Sequence, residues 1–330
     1  MLQTKDIAVV ILNWNGKALL EQFLPSVIKY SNDAQIYVAD NASIDDSVAF
    51  VSEHFPIVKL IQNTENSGYA KGYNNALKRV EEPLLCLLNS DIEVTENWLK
   101  PILDEFNTDV NTAIIQPKIL DYKNKSHFEY AGAAGGFIDK YGYPYCRGRI
   151  FDTLEEDKGQ YNDTKTIFWA SGACFFIRNS VFKTLNGFDK SYFAHIEEID
   201  LCWRAFNTNY QTKYVGTSTV YHVGGATLSN TNPKKTYLNF RNSLFTLVKN
   251  TDSNVFIRTV IRMKLDGVAA IRFLFQLKPQ HFFAVLKAHG SFYMNLGRVL
   301  KQRRQLPKQS NYYKTNSIVW SYFIKKRTKF

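Results

Sequence analysis

IAVVILNW at residues 7–14 is an apolar run rich in β-branched residues, and the helix-like stretch GKALLEQFLPSVIKY follows it at 16–30. The same alternation continues over the first 115 or so residues, through QIYVAD (35–40), SVAFVSEHF (47–55), IVKLIQN (57–63), GYAKGYNNALKRV (68–80) and PLLCLLNSD (83–91). Alternating strands and helices predict an α/β fold with a parallel, Rossmann-like sheet. Ligands of such sheets bind beyond the carboxyl ends of the strands, so the polar residues that end each strand are the candidate site.

The rest of the chain divides into three kinds of sequence. Residues 117–165 are rich in Gly and Tyr and predict loops beside the site. Order returns at 166–182, followed by a helix at EEIDLCWRAF and a last strand at TKYVGTSTVYHVGG. After a boundary near 230–233, the pattern predicts a helical extension. We therefore predict one domain over residues 1–235 and a basic, aromatic-rich helical region over 236–330.

Length and composition exclude several classes of protein. The chain has 330 residues, 45% of them apolar and 22% charged, which is enough to bury a core in about two domains and argues against disorder. No apolar run reaches the ~18 uninterrupted residues that a spanning helix needs, and the amino terminus lacks the features of a signal peptide. The four cysteines lie far apart, as in proteins with reduced thiols. We expect a cytoplasmic location.

The charge is distributed very unevenly along the chain. Residues 1–240 hold 23 Lys and Arg against 28 Asp and Glu, whereas residues 241–330 hold 18 against 2. A region this basic predicts an anionic partner, either a phospholipid surface or nucleic acid. Because no nucleic-acid-reading module is visible, we expect peripheral attachment to the inner face of the cytoplasmic membrane and no nucleic acid partner. Helices that only pack on the first domain with a solvated basic face are the alternative.

Six blocks carry a resemblance to a known family. They are VVILNWNG, VADNASIDDS, NTENSGYAKGYNNAL, LLNSDIEV, SGACFFIRNSVFKTLNGFDKSYFAHIEEIDLCWRA and VYHVGG, in this order. They resemble the family 2 glycosyltransferases, particularly the bacterial rhamnosyltransferase-like branch, over residues 6 to about 242. The resemblance implies a GT-A (nucleotide-diphospho-sugar transferase) fold, a nucleotide-sugar donor, a divalent metal ion and an inverting reaction.

Asp91 and His222 are the predicted metal ligands. Asp91 follows the apolar run LLCLL, where a carboxylate can hold Mg²⁺ or Mn²⁺ against the donor diphosphate. The resemblance makes it the last residue of a DxD element, here Asn89-Ser90-Asp91, whose first Asp is missing. The family resemblance also implies that His222 ligates the metal, and imidazole suits Mn²⁺. Alternatively, Asp91 caps a helix and His222 is structural.

The other candidate residues follow from the same resemblance. For donor binding it implies Asp40 as acceptor from the uracil or thymine N3–H, together with Asn13, Asn15, Asn66, Gly68 and Gly172. Turn-forming and helix-capping roles are the alternative for these residues. An acceptor hydroxyl must lose its proton as the new bond forms, and the family's ED-x-D pattern implies Glu198 as that base. Asp200 and Arg204 are spaced as a helix ion pair.

These expectations combine into one predicted activity. The chain is expected to be an inverting, metal-dependent glycosyltransferase that moves one sugar from a UDP- or dTDP-sugar, with dTDP-rhamnose as one candidate. The acceptor is expected to be a hydroxyl of a glycan or polyprenyl-linked molecule in surface polysaccharide synthesis. A non-catalytic GT-A scaffold of a membrane glycan-assembly complex is the alternative, supported only by the incomplete DxD element.

Overall fold

The computed structural model describes residues 1–224 and 232–330. The strands are β1 (Ile7–Asn13), β2 (Gln35–Asp40), β3 (Lys59–Gln62), β4 (Leu84–Asn89), β5 (Ile92–Val94), β6 (Thr112–Asp121), β7 (Gly136–Ile138), β8 (Pro144–Cys146), β9 (Arg149–Ile150), β10 (Thr153–Leu154), β11 (Thr164–Ile167), β12 (Cys174–Arg178) and β13 (Gln211–His222). The helices are α1 (Lys17–Tyr30), α2 (Ser47–His54), α3 (Gly68–Ala76), α4 (Lys100–Thr108), α5 (Asn179–Thr184), α6 (Glu197–Asn207), α7 (Pro233–Asn250), α8 (Val255–Phe275) and α9 (Pro279–Gln305).

A nine-stranded sheet forms the centre of the molecule. Its order is β11-β13-β6-β12-β4-β1-β2-β3, and β5 pairs with the end of β13. β1 runs parallel to both β2 and β4, and β2 runs parallel to β3. The predicted parallel alternation of strands and helices is thus confirmed for the first four long strands. Beyond β4 the sheet becomes mixed, because β12 enters antiparallel between β4 and β6.

The central strands are continuous apolar runs because helices cover both faces of the sheet. In β1 and β4 the first five residues of each strand are buried. Helix α1 presents a matching apolar stripe at the helical spacing, and it buries Leu20, Phe23, Leu24 and Val27. This packing holds the carboxyl ends of β1, β2 and β4 at one edge of the sheet.

Residues 117–165, for which the sequence predicts loops, contain regular structure. β6 extends to Asp121, and β7 to β10 form a separate four-stranded sheet. Strands of two or three residues are too short to show a period-2 pattern, so only tertiary packing defines them. Gly136 illustrates that packing, since a Cβ there would lie 2.1 Å from the ring of Trp169. The Trp169 ring is buried, and its Nε1 donates to the Phe137 carbonyl at 2.8 Å.

The predicted C-terminal helices are present and share the core of the sheet. The first of them, α7, begins where the Asn232 side chain accepts from the Lys234 amide. Buried residues of α7, among them Leu244 and Phe245, belong to the same apolar cluster as residues of β1 and β4. The expected boundary near 230–233 lies largely outside the described residues. The division at 235 therefore remains a prediction.

A buried ionic network joins α6 to α7. Asp200 is fully buried, and its carboxylate accepts from Arg204 Nε at 2.9 Å and from Asn250 Nδ2 at 2.8 Å. Lys249 Nζ lies 2.7 Å from Asp200 and 2.7 Å from Asp189. The predicted i,i+4 ion pair of Asp200 and Arg204 is confirmed, and it is only part of a larger network. Asp200 therefore has a structural role.

Of the helices in residues 1–224 and 232–330, none combines the length and the apolar character required to cross a bilayer.

Replacing Asp200 with Ala should strongly destabilise the fold, because two buried cations lose a partner. We expect the free energy of unfolding to fall by about 3 kcal/mol or more. Asp104→Ala is the matched control, since Asp104 forms an exposed i,i+4 pair with Lys100 and should cost less than about 0.5 kcal/mol. Urea unfolding followed by tryptophan fluorescence measures both. Equal losses in the two variants would contradict the role of the network.

Candidate active site

The ends of β1 and β2 bring Asn13 and Asp40 together, because these residues are register partners. Asn13 Nδ2 donates to Asp40 Oδ1 at 3.1 Å and to Ser43 Oγ at 3.2 Å, and Asp40 Oδ2 accepts from the Ser43 amide at 2.9 Å. Both predicted residues are buried. Asn13 Oδ1 is buried without a hydrogen-bond partner in the described structure. An orphaned acceptor at a strand end is what a polar ligand could satisfy.

Asn15 locks the β1–α1 loop onto the β2–α2 loop. Its backbone is left-handed, with φ 50°, which Asn tolerates better than most residues. The Asn15 amide donates to Ser43 Oγ at 2.8 Å, and its Oδ1 accepts from the Ile44 amide at 2.8 Å. Asn15 therefore fixes the two loops together, and its predicted contact with the donor remains a prediction.

Asn66 and Gly68 belong to a second polar network. Asn41 Nδ2 donates to Asn66 Oδ1 at 3.0 Å, and the Gly68 amide donates to the same oxygen at 3.1 Å. Gly68 has φ 79°, and a Cβ there would lie 2.2 Å from the Phe193 carbonyl oxygen. The glycine is required by this close approach of the chain's own loop, which also accepts from the Tyr69 amide at 2.8 Å. A contact between Gly68 and the donor remains a prediction.

Asp91 and His222 come together although they are far apart in the chain. β5 pairs antiparallel with the end of β13, and this places His222 opposite Ile92, the neighbour of Asp91. His222 Nε2 lies 3.1 Å from Asp91 Oδ1, and both side chains are buried. The sequence prediction that these two residues share a site is consistent with this geometry.

Glu129 is a third acid beside this pair, and the sequence analysis did not identify it. Its Oε2 lies 3.4 Å from His222 Nδ1, and the contact does not meet hydrogen-bond geometry, so Nδ1 is left unsatisfied. Burial alone would lower the pKa of His222, but the carboxylates of Asp91 and Glu129 outweigh it and raise the pKa to about 10. The imidazole therefore sits between two carboxylates.

The chemistry of this donor set fits a divalent cation. A carboxylate oxygen and an imidazole nitrogen suit Mn²⁺, and a carboxylate on the other ring nitrogen is the usual device that orients a metal-binding His. Within residues 1–224 and 232–330, no group of three or more His, Cys, Asp or Glu side chains is arranged to hold a metal ion. Two protein ligands match sites in which substrate phosphates complete the coordination.

Glu198 stands in the first turn of α6, after a strained loop. His195 and Ile196 both have left-handed backbone, with φ 70° and 75°, and a β-branched residue rarely adopts that conformation. Asn242 of α7 holds the loop, because its Nδ2 donates to the carbonyl oxygens of Ala194 at 3.0 Å and His195 at 2.8 Å. The position of Glu198 thus depends on a helix from the C-terminal region.

The Glu198 carboxyl group is half-buried and lies beside Gly172. A Cβ at Gly172 would lie 3.7 Å from Glu198 Cδ and 3.3 Å from Tyr69 Oη. The Tyr69 hydroxyl donates to the Gly172 carbonyl at 2.8 Å. Burial raises the pKa of Glu198 to about 7, against the backbone hydrogen bonds that lower it. A carboxylate with this pKa can take a proton near neutral pH.

Glu197, its neighbour, lies in a different environment. It is buried, and its Oε2 has no hydrogen-bond partner in the described structure. Burial and the charge of Glu198 raise the pKa of Glu197 well above its ordinary value. The half-buried Glu198 beside Gly172 is therefore better placed to act as a base than the enclosed Glu197.

Two contacts connect the Glu198 region with the Asp91 region. The Asn89 amide, at the start of the Asn-Ser-Asp turn, donates to the Ala173 carbonyl at 2.9 Å, next to Gly172. Lys235 interacts electrostatically with a residue of each region. Its charge reinforces burial in lowering the pKa of His195 to about 4, and the charge of Glu129 opposes the burial that lowers the pKa of Lys235. The predicted base and metal ligands therefore border the same region.

The residues that the sequence analysis missed are Asn41, Tyr69, Glu129 and Asn242. Glu129 follows β6 in a segment for which loops were expected, and no motif marks it. Asn242 falls within NFRN, at the end of the resemblance, and it is one of several polar residues of α7. In each case the function depends on contacts between distant segments, which spacing along the chain does not reveal.

Comparison with known proteins gives a family and several curated relatives. The model of glycosyl transferase family 2 matches residues 8–185. The N-acetylglucosaminyl-diphospho-decaprenol L-rhamnosyltransferase of Mycobacterium tuberculosis is 22% identical over 234 residues, which cover 66% of this chain and 76% of the relative. The low-salt glycan biosynthesis hexosyltransferase Agl10 of Haloferax volcanii is 22% identical over 288 residues, covering 84% of this chain and 87% of the relative.

Solved structures share the fold at low sequence identity. The mannosyltransferase PcManGT from Pyrobaculum calidifontis, in complex with GDP-Man and Mn²⁺, has a TM-score of 0.56 at 11% identity, over 88% of this chain and 87% of that one. S. aureus TarS 1-349 with UDP-GlcNAc has a TM-score of 0.57 at 14% identity, over 90% and 83%. GalNAc-T7 with UDP, GalNAc and Mn²⁺ has a TM-score of 0.60 at 16% identity, and this chain spans only 56% of its length.

These comparisons confirm the predicted family and the predicted GT-A fold with a helical C-terminal region. The family match covers more than half of the chain, and the structural neighbours were solved with nucleotide-sugar donors, with UDP or with Mn²⁺. The chain belongs to glycosyl transferase family 2, and it is an enzyme of GT-A fold that transfers a sugar from a nucleotide donor.

Proposed function

We propose that this enzyme is an inverting, metal-dependent transferase that moves one sugar from a UDP- or dTDP-sugar to a hydroxyl of a lipid-linked or glycan acceptor. The observation that carries the proposal is the pairing of Asp91 with His222 at 3.1 Å, beside the segment that contacts Glu198. The relative from M. tuberculosis supports a rhamnosyl donor and a diphospho-polyprenyl acceptor by its name. Surface polysaccharide synthesis is the corresponding role.

Asp91 and His222 would hold the divalent cation, Mg²⁺ or Mn²⁺. The bound cation would stabilise the negative charge that develops on the departing nucleoside diphosphate. Glu129 would accept from His222 Nδ1 and so present Nε2 to the metal. The Asn-Ser-Asp turn supplies only one carboxylate, because the first Asp of the DxD element is missing. The His222 imidazole would serve as the second ligand in its place.

Glu198 is the proposed base. The acceptor oxygen attacks the anomeric carbon while its proton passes to the Glu198 carboxylate, and the bond between that carbon and the diphosphate oxygen breaks on the opposite face. One displacement inverts the configuration at the anomeric carbon. Gly172 leaves space beside Glu198, where a Cβ would narrow the approach. Tyr69 fixes the Gly172 backbone through its hydrogen bond to the carbonyl.

Asp40 and its neighbours are the proposed nucleotide-binding group. Asp40 is held by Asn13 and Ser43, so its orientation is set before a donor arrives. Each carboxylate oxygen can accept more than one hydrogen bond, which leaves capacity for the N3–H of uracil or thymine. Asn66 and Gly68 would border the same nucleotide from the α3 side. We place the enzyme at the inner face of the cytoplasmic membrane, where an anionic surface would present the acceptor.

A screen of UDP-, dTDP- and GDP-sugars, with and without Mn²⁺, tests the proposal as a whole. Titration calorimetry should show binding of a uracil or thymine nucleotide-sugar that strengthens with Mn²⁺. Binding only of GDP-sugars would contradict the proposed role of Asp40. A catalytically inert scaffold would give neither transfer nor donor hydrolysis with any of them.

Asp91→Ala should abolish transfer and remove the effect of Mn²⁺ on donor affinity, because half of the protein's metal ligands is lost. In the wild type we expect Mn²⁺ to tighten donor binding by about tenfold or more. Asp121→Asn is the control, since Asp121 ends β6 in register with His222 but accepts from the amides of Lys123 and Asn124. Retained Mn²⁺ dependence in Asp91→Ala would contradict the metal assignment.

Glu198→Gln should keep donor affinity and lose about 10²- to 10⁴-fold in kcat, because the acceptor proton has no base. Glu197→Gln should keep most activity, since burial and the charge of Glu198 already favour the neutral form of the Glu197 carboxyl group. In the wild type, Glu198 must be ionised to act, so kcat should fall about tenfold per pH unit below its pKa of about 7. Steady-state kinetics from pH 5.5 to 9 measure these effects, and a flat profile would be inconsistent with Glu198 as base.

Asn242→Leu should lower kcat by about tenfold to a hundredfold with little change in donor affinity, because the loop before Glu198 loses both hydrogen bonds. Asn295→Leu is the control, since Asn295 donates only to a carbonyl in its own helix. Kinetics and donor calorimetry separate the two effects. A parallel loss of donor affinity and kcat would indicate general unfolding rather than misplacement of Glu198.

A further inference from the structure

Helix α8 has its charged stripe inside and its apolar stripe outside. Arg258, Arg262 and Asp266 are buried, with exposed fractions of 6%, 3% and 0%. On the opposite side, Val268 and Ile271 are 65% and 52% exposed. The sequence shows both stripes, but a helix on a water-exposed surface ordinarily has the reverse orientation.

Specific polar partners hold the charged stripe inside. Arg262 Nε donates to Asp266 Oδ1 at 2.8 Å, and its Nη1 donates to the Gly142 carbonyl at 3.0 Å. The guanidinium also lies 3.8 Å over the ring of Tyr143, whose hydroxyl donates to Asp266 at 2.7 Å. These contacts satisfy the buried charges, so the outward direction of the apolar stripe is a built feature of the helix.

The outward apolar residues continue around the turn between α8 and α9. More than half of the exposed large apolar side chains in the described chain lie between residues 256 and 300. We call the group at the turn the apolar patch. Its members are Val268, Ile271, Phe275, Leu277, Phe283 and Leu286, and each is at least 50% exposed. Bulky exposed apolar side chains gathered on two consecutive helices and the turn between them are typical of a site of interaction.

The charges around the apolar patch are all positive. Lys264, Arg272, Lys278 and Lys287 are exposed on α8, α9 and the turn between them. Residues 241–330 contain only two acids, and Asp266 is fully buried against Arg262. The other, Asp252, lies 2.6 Å from Arg258. The surface thus combines bulky apolar side chains with basic ones and no free acid from this region.

A short turn near the end of the described chain lengthens this surface. Residues Trp320–Ile324 form a π-helical turn, and the Arg272 guanidinium lies 4.8 Å over the Phe323 ring. Trp320 is 56% exposed and Ile324 is 58% exposed. Trp side chains are favoured at the boundary between lipid and water, where one end of the ring is apolar and the other is wet.

We propose that the apolar patch inserts into the headgroup region of an anionic phospholipid bilayer, with the surrounding Lys and Arg side chains on the lipid phosphates. Bulky apolar side chains beside cations are the chemistry of an interfacial membrane-binding element. A second copy of this chain is a poor occupant, because it would bring two surfaces of the same positive charge together. A bilayer satisfies both the apolar and the charged side chains.

This surface is connected to the active site through the first turn of α7. His281 Nδ1 of α9 lies 2.7 Å from Thr236 Oγ1, and the adjacent Lys235 interacts electrostatically with His195 and Glu129. In this proposal, a membrane-held acceptor would approach the site beside Glu198 from this side of the molecule. Only the delivery of the acceptor depends on the proposed function. Binding of the protein to lipid can be measured without donor, metal or acceptor.

The test is co-sedimentation of the full-length chain with vesicles of phosphatidylcholine alone and of phosphatidylcholine with phosphatidylglycerol. The wild type should bind the anionic vesicles at least about tenfold more tightly, and salt should weaken binding. Leu277→Glu/Phe283→Glu should lose about tenfold or more of this affinity. Ile57→Glu/Val110→Glu is the control, because it replaces two other exposed apolar residues and adds the same charge. Circular dichroism should show that both double variants fold.

Several results would overturn the proposal. Equal binding to the two kinds of vesicle would show that anionic lipid is not the partner. Equal losses of affinity in both double variants would show that the apolar patch is not the binding surface. Sedimentation equilibrium would identify a second copy as occupant if Leu277→Glu/Phe283→Glu dissociated a dimer and left vesicle binding unchanged. Tighter binding to a DNA duplex than to the anionic vesicles at the same ionic strength would favour nucleic acid instead.

Discussion

The antiparallel pairing of β5 with the end of β13 is the interaction on which the site depends. It joins the turn after β4 to the last strand of the sheet, and so it sets His222 against Asp91. Neither residue alone offers a complete metal site, and the carboxylate of Glu129 becomes relevant only because His222 is there to be oriented. The proposed cation site, assembled from two strands in this way, would need the substrate's own phosphates to complete it.

The C-terminal helices contribute to the chemistry as well as to the core. Asn242 of α7 holds the loop before Glu198 through the carbonyls of Ala194 and His195, and the Asp200 network fixes α6 against the same helix. These hydrogen bonds from outside the loop help to maintain its left-handed backbone at His195 and Ile196. The proposed base is therefore positioned by residues on both sides of the expected boundary at 235.

Environment separates the roles of two adjacent acids. Glu197 and Glu198 are neighbours in the chain, yet one is fully enclosed with an unpaired oxygen and the other is half-buried beside Gly172. Burial raises the pKa of both, and the charge of Glu198 raises the pKa of Glu197 further. A carboxyl group with a pKa of about 7 is left where an acceptor could approach.

The amino-acid sequence by itself determined the strand and helix alternation up to β4, the C-terminal helices, the family, and the residues at the strand ends, because these depend on local periodicity and on short ordered blocks. Asp40, Asp91 and Glu198 were predicted in this way. The tertiary structure alone decided that Glu129 and Asn242 support the site, that Gly68 makes room for Phe193, and that α8 faces outward with its apolar stripe. Each of these is a contact between segments distant in the chain, and a helix with two distinct stripes does not reveal which one is buried until its partners, here Gly142 and Tyr143, are in place.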